Sequence, residues 1–225
     1  MNPLIENVSS LSINKGNYDF QPLLIPRKTK LTDESLKKKG FYNGKILVCT
    51  SYRKDGEKVI AECSDFNFFD LLLKRFDKKP FPFIVSTNGI IEIEKDYIIL
   101  MKRDNKVYAY KNYWDFPAGL VPFLEDPLDR LTKRIYEEIG IEEKHLQANP
   151  SPIYIEIQKE PFGSYFAIYY SYKCSLSKDQ AEALFKESKN SIKKTLVNKK
   201  LLPEFLKERK NIYPQNILRK LIPII

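Results

Sequence analysis

The chain has 225 residues, of which 43% are hydrophobic and 13% aromatic, and these values exclude a disordered, fibrous or helical membrane-spanning protein. The first residues lack the basic and apolar regions of a secretory signal, so we expect a cytoplasmic protein with no membrane contact. The scarcity of histidine and cysteine excludes a zinc site with several imidazoles and a disulfide framework, because the chain has only His145, Cys49, Cys63 and Cys174. Any chemistry must therefore use carboxylates, lysines or a bound metal.

The net charge of +9 is concentrated near the C-terminus. From Lys189 onward, ten basic residues stand against two acidic ones, which amounts to +8 and leaves the preceding 188 residues nearly neutral at +1. A basic tail of this kind is typical of proteins that bind RNA or another polyanion, and it also serves solubility alone. RNA therefore stays a candidate partner, and the sequence leaves a homodimer open.

Residues 1–80 are predicted to form an N-terminal α+β extension. Their first half, to about residue 40, contains three prolines and is predicted to be an irregular arm that packs on another part of the chain. The apolar runs Lys45–Tyr52 and Lys58–Ser64 flank an Asp-Gly pair, which predicts a β-hairpin. Asp65 is placed to cap a following helix that ends near Pro80.

Residues 81–225 are predicted to form a second domain, which begins with a β-meander turning at Asn88–Gly89 and at Asn105–Lys106. Asp126 and Pro127 are typical of a helix start, and Gly140 is typical of a helix end. A long hairpin and three helices are predicted after it, at residues 152–174, 178–186, 202–210 and 214–221. The predicted fold class is α+β, an α/β/α sandwich with a mixed β-sheet plus the N-terminal extension.

Three acidic residues surround the predicted helix: Glu125 precedes it, and Glu137 and Glu138 lie in its last turn. Adjacent acids at this end of a helix are unfavourable with each other and with the helix dipole. A bound cation would explain them, and magnesium prefers such oxygen ligands together with substrate phosphates. The alternative is a solvated, charged turn.

The segment from Gly119 to Ile141 resembles the Nudix box, G-x5-E-x7-R-E-U-x-E-E-x-G-U, where U is a bulky aliphatic residue. The matching residues are Gly119, Glu125, Ile135, Glu137, Glu138, Gly140 and Ile141, and Lys133 replaces the arginine. The approach Phe116-Pro117-Ala118-Gly119 is similar to the turn that usually precedes the box. The resemblance implies a loop, helix and loop on a Nudix sandwich over residues 81–200.

The resemblance also implies an activity, which is the hydrolysis of a nucleoside diphosphate linked to another moiety. The cofactor would be magnesium, with manganese as the alternative. Glu137 and Glu138 would be catalytic metal ligands, joined by Glu125 and the backbone carbonyl of Gly119 or Ala118. A general base often lies in a later loop of such proteins, and Glu160 at the predicted hairpin tip is the candidate for it.

One position departs from the family pattern, because Arg134 stands where the box has a glutamate that is usually a metal ligand. Arginine puts a fixed cation three and four residues before Glu137 and Glu138, where side chains on one helical face meet. Arg134 could pair with those acids and leave the metal site weakened or absent. It could also turn outward and leave a slower hydrolase.

Substrate contacts are predicted at Arg103, Trp114, Lys133 and Arg134. Arg103 corresponds to an arginine that many Nudix proteins aim at phosphate, and Trp114 could stack on a base, as could Tyr108, Tyr110 and Tyr113. The additional N-terminal and C-terminal segments loosely resemble hydrolases of nucleotide sugars, of the UDP-sugar type, and of ADP-ribose. Two hypotheses therefore stay open: a magnesium-dependent diphosphate hydrolase, and a nucleotide-binding or RNA-binding module that has lost catalysis.

Overall fold

A computed structural model describes residues 4–16, 24–26, 32–38, 43–76, 82–104, 112–148, 150–160, 163–187 and 192–207. Strands in this part of the chain are β1 Leu4–Asn7, β2 Ser10–Lys15, β3 Leu24–Pro26, β4 Lys45–Asp55, β5 Lys58–Asn67, β6 Lys74–Phe76, β7 Phe83–Ile93, β8 Tyr97–Lys102, β9 Trp114–Asp115, β10 Ala118–Leu120, β11 Pro152–Glu160, β12 Gly163–Cys174 and β13 Lys193–Asn198. The helices are α1 Asp33–Lys38, α2 Phe68–Leu73, α3 Pro127–Ile139, α4 Lys178–Glu187 and α5 Leu202–Lys207, with short 3-10 turns at Glu143–His145 and Lys199–Leu201.

The sheet is mixed, which confirms the predicted α+β class. Its main path runs β1-β11-β12-β7-β4-β5-β2, and β8 joins β7, β9 and β13. The β2–β5 pair is parallel, whereas β1–β11, β4–β5 and β8–β13 are antiparallel. None of the helices in the described ranges is long and apolar enough to cross a membrane.

The chain forms two compact units, and neither is continuous in sequence. The first comprises Met1–Thr87, Leu120–Pro127 and Pro152–Ile168, and the second comprises Asn88–Gly119, Leu128–Ser151 and Tyr169–Ile225. Strands β7 and β12 run through both units. The predicted domain boundary near residue 80 stays a prediction.

The first unit has its own apolar core, which follows from the alternation of side chains along its strands. Ile46, Val48, Leu71 and Ile84 are buried together. Tyr52 stands edge-on to Phe166, with 5.7 Å between ring centroids. The hairpin predicted around Asp-Gly forms here as β4 and β5, and Gly56 takes the positive φ of +59° that the turn requires.

The predicted turn at Asn88–Gly89 is wrong, because both residues lie inside the continuous strand β7. A Cβ atom on Gly89 would stand 3.2 Å from Leu131 Cδ1 of α3. The Gly89 N–H also donates to the Pro117 carbonyl at 2.8 Å. Glycine at this position therefore allows close packing rather than a chain reversal.

The helix predicted after Asp65 is also corrected. β5 continues through Asp65 to Asn67 because it stays paired with β4, and Lys45 Nζ lies 2.6 Å from Asp65 Oδ2. The six-residue helix α2 begins only at Phe68 and is capped by the Asn67 side chain, which accepts the Asp70 N–H at 3.2 Å.

Both chain ends contain more regular structure than the sequence predicts. The arm is not irregular throughout, since β1 pairs with β11 and β2 pairs with β5. Part of the basic tail is strand β13, which pairs with β8 over Lys193–Asn198. The predicted 152–174 hairpin is confirmed as β11 and β12, and the predicted 178–186 helix is confirmed as α4. The predicted turn at 105–106 and the helix at 214–221 lie outside the described residues.

Candidate functional site

Helix α3 positions the acidic pair of the predicted site. It begins at Pro127 and ends at Ile139, and Gly140 follows with the positive φ of +91° that terminates many helices. Leu131, Ile135 and Ile139 are fully buried on one face. The spacing of three or four residues along this face fixes the rotation of the helix, and with it the directions of Arg134, Glu137 and Glu138.

The Ala118 peptide group is joined to the last turn of α3 from both of its polar ends. Its N–H donates to Glu138 Oε2 at 3.3 Å, and its carbonyl accepts from Arg134 Nε at 3.3 Å. The Glu138 side chain is only 7% exposed. The approach turn and the helix end therefore meet.

Arg134 lies between the two helix carboxylates. Its Nη1 donates to Glu137 Oε2 at 2.8 Å, and its Nη2 donates to Glu138 Oε1. With the Nε bond to the Ala118 carbonyl, the guanidinium contacts three oxygen-bearing groups at once. Of the two conformations considered from sequence, the structure has the one in which Arg134 pairs with the acids.

Gly119 leaves the space that this arginine occupies. A Cβ atom at Gly119 would lie 2.9 Å from Arg134 Cγ and 3.3 Å from its Cδ, which is closer than such atoms pack. Gly119 has no positive φ, so the space rather than the backbone conformation accounts for glycine here.

Two further arginines affect the charge at this site. Arg130 Nη1 stands 4.0 Å from Glu137 Oε1. Burial lowers the pKa of the Arg134 guanidinium, the hydrogen bond and charge of Glu137 oppose this change, and the charges of Arg130 and Arg103 add to it. An arginine pKa starts so high that the Arg134 guanidinium stays cationic at neutral pH despite this decrease.

A divalent metal, which the resemblance implies, does not fit the residues in this arrangement. The three groups that could offer oxygens on this side, namely Glu137, Glu138 and the Ala118 carbonyl, already accept hydrogen bonds from one guanidinium. Across the described residues, no group of three or more His, Cys, Asp or Glu side chains is arranged to hold a metal ion. The magnesium site therefore stays a prediction.

Glu125, the third predicted carboxylate, belongs to the first compact unit. Its N–H donates to the Pro122 carbonyl at 3.0 Å, and its own carbonyl accepts from Lys15 Nζ at 2.8 Å. Its role as a metal ligand stays a prediction, as does that of the Gly119 carbonyl.

The predicted substrate contacts Arg103 and Trp114 both have protein partners. Arg103 Nη1 donates to Asp115 Oδ2 at 2.9 Å, and Asp115 is fully buried. Trp114 is 7% exposed and stands edge-on to Phe205, with 5.1 Å between ring centroids. These contacts hold both side chains in the protein, and their roles toward a substrate stay predictions.

The remaining predicted site residues lie at the protein surface or have side chains outside the described part of the chain. Lys133 lies on the exposed side of α3. Glu160 is the last residue of β11, and its side chain lies outside the described residues, as do Tyr108 and Tyr110. Their predicted roles stay untested.

Sequence reasoning missed Arg130 and Asp115. It named the Ala118 carbonyl as an alternative metal ligand, but not as a hydrogen-bond acceptor from Arg134. Arg130 lies seven residues before Glu137, two helical turns away, so the helical period could have indicated it. Asp115 carried no signal, because its burial and its pairing with Arg103 depend on how β8 and β9 pair.

No known family and no curated protein matches the chain by sequence. The chain is similar to several solved structures. A MutT protein from Methanosarcina mazei is 20% identical, with 64% of this chain and 95% of that chain covered and a TM-score of 0.45. A Nudix hydrolase from Nitrosomonas europaea is 14% identical, with 63% and 86% covered and a TM-score of 0.46.

The Nudix domain of Shewanella oneidensis NrtR, solved with ADP-ribose, is 9% identical, with 64% of this chain and 92% of that chain covered and a TM-score of 0.42. TM-scores below 0.5 are too low to establish a shared fold. The resemblance to the Nudix family therefore rests on the residues of the Gly119–Ile141 segment, and membership of that family stays a prediction.

Proposed function

We propose that this protein is a Nudix-type module that binds a nucleoside diphosphate linked to another moiety at the junction of the Ala118 turn and helix α3. The observation that carries this proposal is the pair of hydrogen bonds between the Ala118 peptide and the side chains of Arg134 and Glu138. They join the box turn to the box helix, the junction at which the resemblance implies that the diphosphate binds.

The charges around this junction support an anionic ligand. Glu137 and Glu138 carry two negative charges, and Arg134 and Arg130 carry two positive charges close to them. A phosphate therefore approaches a locally neutral site rather than two bare carboxylates, and Coulomb repulsion is largely removed.

Arg134 also retains donors that a phosphate oxygen could use. A guanidinium has five N–H groups, and hydrogen bonds to the described residues use three of them, one on each nitrogen. One N–H remains on each of Nη1 and Nη2, and the side chain is 28% exposed. These remaining donors are of the charged kind that binds phosphate oxygens well.

The second candidate function is magnesium-dependent hydrolysis of a nucleotide sugar or an ADP-ribose-like compound. Its support is the exposure of Glu137, whose side chain is 48% accessible and could exchange a surface ion pair for another partner. This hypothesis requires Arg134 to leave both acids, which would uncover the buried charge of Glu138.

A paired binding and hydrolysis screen tests the proposal. We would measure the affinity of the full chain for ADP, UDP, ADP-ribose and UDP-glucose by calorimetry, and phosphate release from the same compounds with magnesium. We expect at least one compound to bind without measurable turnover. Arg134→Ala should weaken that binding by about tenfold, since a charged hydrogen-bonding donor is lost.

Lys186→Ala in α4 is the control, because it removes an exposed cation that makes no hydrogen bond or ion pair with the described residues of the junction, and it should leave the affinity unchanged. Turnover that needs magnesium would favour the hydrolase instead. If no compound binds in any condition, the proposed function is wrong.

A further inference from the structure

The position of Arg134 is the feature that the binding function leaves unexplained. The protein uses the guanidinium to bridge the oxygen-bearing groups of the box, where the resemblance would place a metal. The chemical question is which species satisfies Glu137, Glu138 and the Ala118 carbonyl in the working protein.

We propose that Arg134, assisted by Arg130, permanently replaces a divalent cation in this site, so that the protein binds its anionic ligand without metal and excludes magnesium and manganese. The ligand part of this inference rests on the proposed function. The metal part does not, and it can be tested with the metal alone.

Geometry is the first support. The three bonded nitrogens of Arg134 each face a different oxygen-bearing group, with Nε to the Ala118 carbonyl, Nη1 to Glu137 and Nη2 to Glu138. A metal ion would need the same oxygens. A metal ion would therefore have to compete with the guanidinium for these oxygens and would be repelled by its positive charge.

Charge is the second support. A divalent cation would bring two positive charges to the two carboxylates. Arg134 together with Arg130, whose Nη1 stands 4.0 Å from Glu137 Oε1, supplies the same two charges from the protein itself. The site thus reaches local neutrality without an ion from solution.

Packing is the third support. Gly119 opens the space through which the Arg134 stem passes, since a Cβ there would meet Arg134 Cγ at 2.9 Å. Glu138 is 7% exposed, and its two oxygens are bonded by Arg134 and by the Ala118 N–H. Removing the guanidinium would take one countercharge from a buried carboxylate, which is costly.

Manganese binding, followed by electron paramagnetic resonance of the free ion, is the direct test. The wild-type chain should bind no Mn²⁺ tightly. Arg134→Glu removes the cation and adds an oxygen ligand, so its affinity for Mn²⁺ should exceed that of the wild type by at least about tenfold. Adding Glu138→Gln to Arg134→Glu should abolish the gained binding.

Lys186→Glu is the matched control, because it makes the same charge change at an exposed position of helix α4 and should gain no Mn²⁺ site. Should Arg134→Glu fail to fold, Arg134→Gln keeps a side chain of similar shape without the charge. It should bind Mn²⁺ more tightly than the wild type while showing a cooperative thermal transition.

The outcomes separate the two proposals. A wild-type chain that binds Mn²⁺ as tightly as Arg134→Glu overturns metal replacement, and so does a folded Arg134→Glu that gains no affinity. Equal affinity for ADP with magnesium and with EDTA supports metal replacement, whereas binding that is tenfold tighter with magnesium overturns it. Absence of ADP binding counts against the ligand proposal alone, and the Mn²⁺ result then decides the metal question.

Discussion

Gly119 and Arg134 form the most constrained pair in the candidate site. The glycine has no side chain at the point where the arginine stem passes, and the arginine bonds to the carbonyl of the preceding residue, Ala118. The observed position of Arg134 therefore depends on the absence of a side chain at residue 119.

Gly119→Ala should destabilise the protein by about 1–3 kcal/mol, because the new Cβ overlaps Arg134 Cγ and displaces the guanidinium. Gly119→Ala in an Arg134→Ala background should reduce stability by less, since the Arg134 Cγ and Cδ atoms that the new Cβ would overlap are absent. Urea unfolding of the two single variants and the double variant measures the coupling. Strictly additive free energies would contradict the packing account.

The Arg103–Asp115 pair is a second residue-scale test. Asp115 is fully buried, so Asp115→Ala leaves the Arg103 guanidinium without its ion-pair partner. The expected loss is about 3 kcal/mol, at the low end for a broken buried pair because Arg103 is 25% exposed. Thermal unfolding monitored by circular dichroism would detect it.

The double variant Asp115→Leu with Arg103→Met should lose less stability than Asp115→Ala alone, because it removes both charges and leaves neither of them buried without a partner. A double variant that is less stable than the single one would show that Asp115 acts through contacts other than Arg103.

At the scale of the element, α3 places the site by its buried face. Leu131, Ile135 and Ile139 pack inward, while Tyr136 is 60% exposed and belongs to the opposite face. The same rotation that buries the aliphatic residues brings Glu138 against the Ala118 turn.

Ile135→Ala should therefore cost about 2–5 kcal/mol of stability through the cavity that it creates, and should weaken ligand binding near the unfolding temperature. Tyr136→Ala is the neighbouring control and should change stability by no more than about 0.5 kcal/mol. Differential scanning calorimetry of both variants checks the contrast. Equal losses would mean that the helix is rotated from the orientation described.

Glycine at position 89 shows why an element can be misread from sequence. Asn-Gly is the usual signal for a tight turn, yet in this chain it lies in the middle of β7. The glycine allows the close approach of Leu131 from α3, a residue 42 positions later in the chain.

At the scale of the molecule, the basic C-terminal segment belongs partly to the fold. β13 pairs with β8, and Phe205 of α5 packs on Trp114. Five lysines of this segment therefore lie on described structural elements, namely Lys193, Lys194, Lys199, Lys200 and Lys207. Polyanion binding by the segment stays a prediction.

Deleting the chain from Lys189 onward should abolish cooperative folding, because it removes the strand that covers one edge of β8 and the ring that packs on Trp114. A chain that ends at Lys207 keeps every described element and should unfold at a temperature close to that of the full chain. Circular dichroism melts compare the two truncations.

The RNA affinity of the chain that ends at Lys207 is the matching functional test. If the residues beyond Lys207 bind RNA, the chain that ends at Lys207 should show a weaker salt dependence of RNA affinity than the full chain. A full chain whose RNA affinity is negligible at physiological salt would remove RNA as a partner.

The sequence alone determined the α+β class, the bounds of α3, the β11–β12 hairpin and the identity of the box residues. These features depend on local rules: Pro127 and Gly140 mark the ends of a helix, and alternating apolar residues mark strands. The three-residue and four-residue spacing from Arg134 also made its pairing with Glu137 and Glu138 one of two defined alternatives.

Only the tertiary structure decided between those alternatives, because the choice depends on groups distant in sequence. Arg134 turns toward the acids where the Ala118 carbonyl supplies a further acceptor and where Gly119 leaves room for the side chain. The strand through Gly89 and the strand β13 were decided in the same way, by a packing partner and a pairing partner that no local pattern records. Local propensity sets which elements can form, and long-range packing determines which of them do and what their side chains contact.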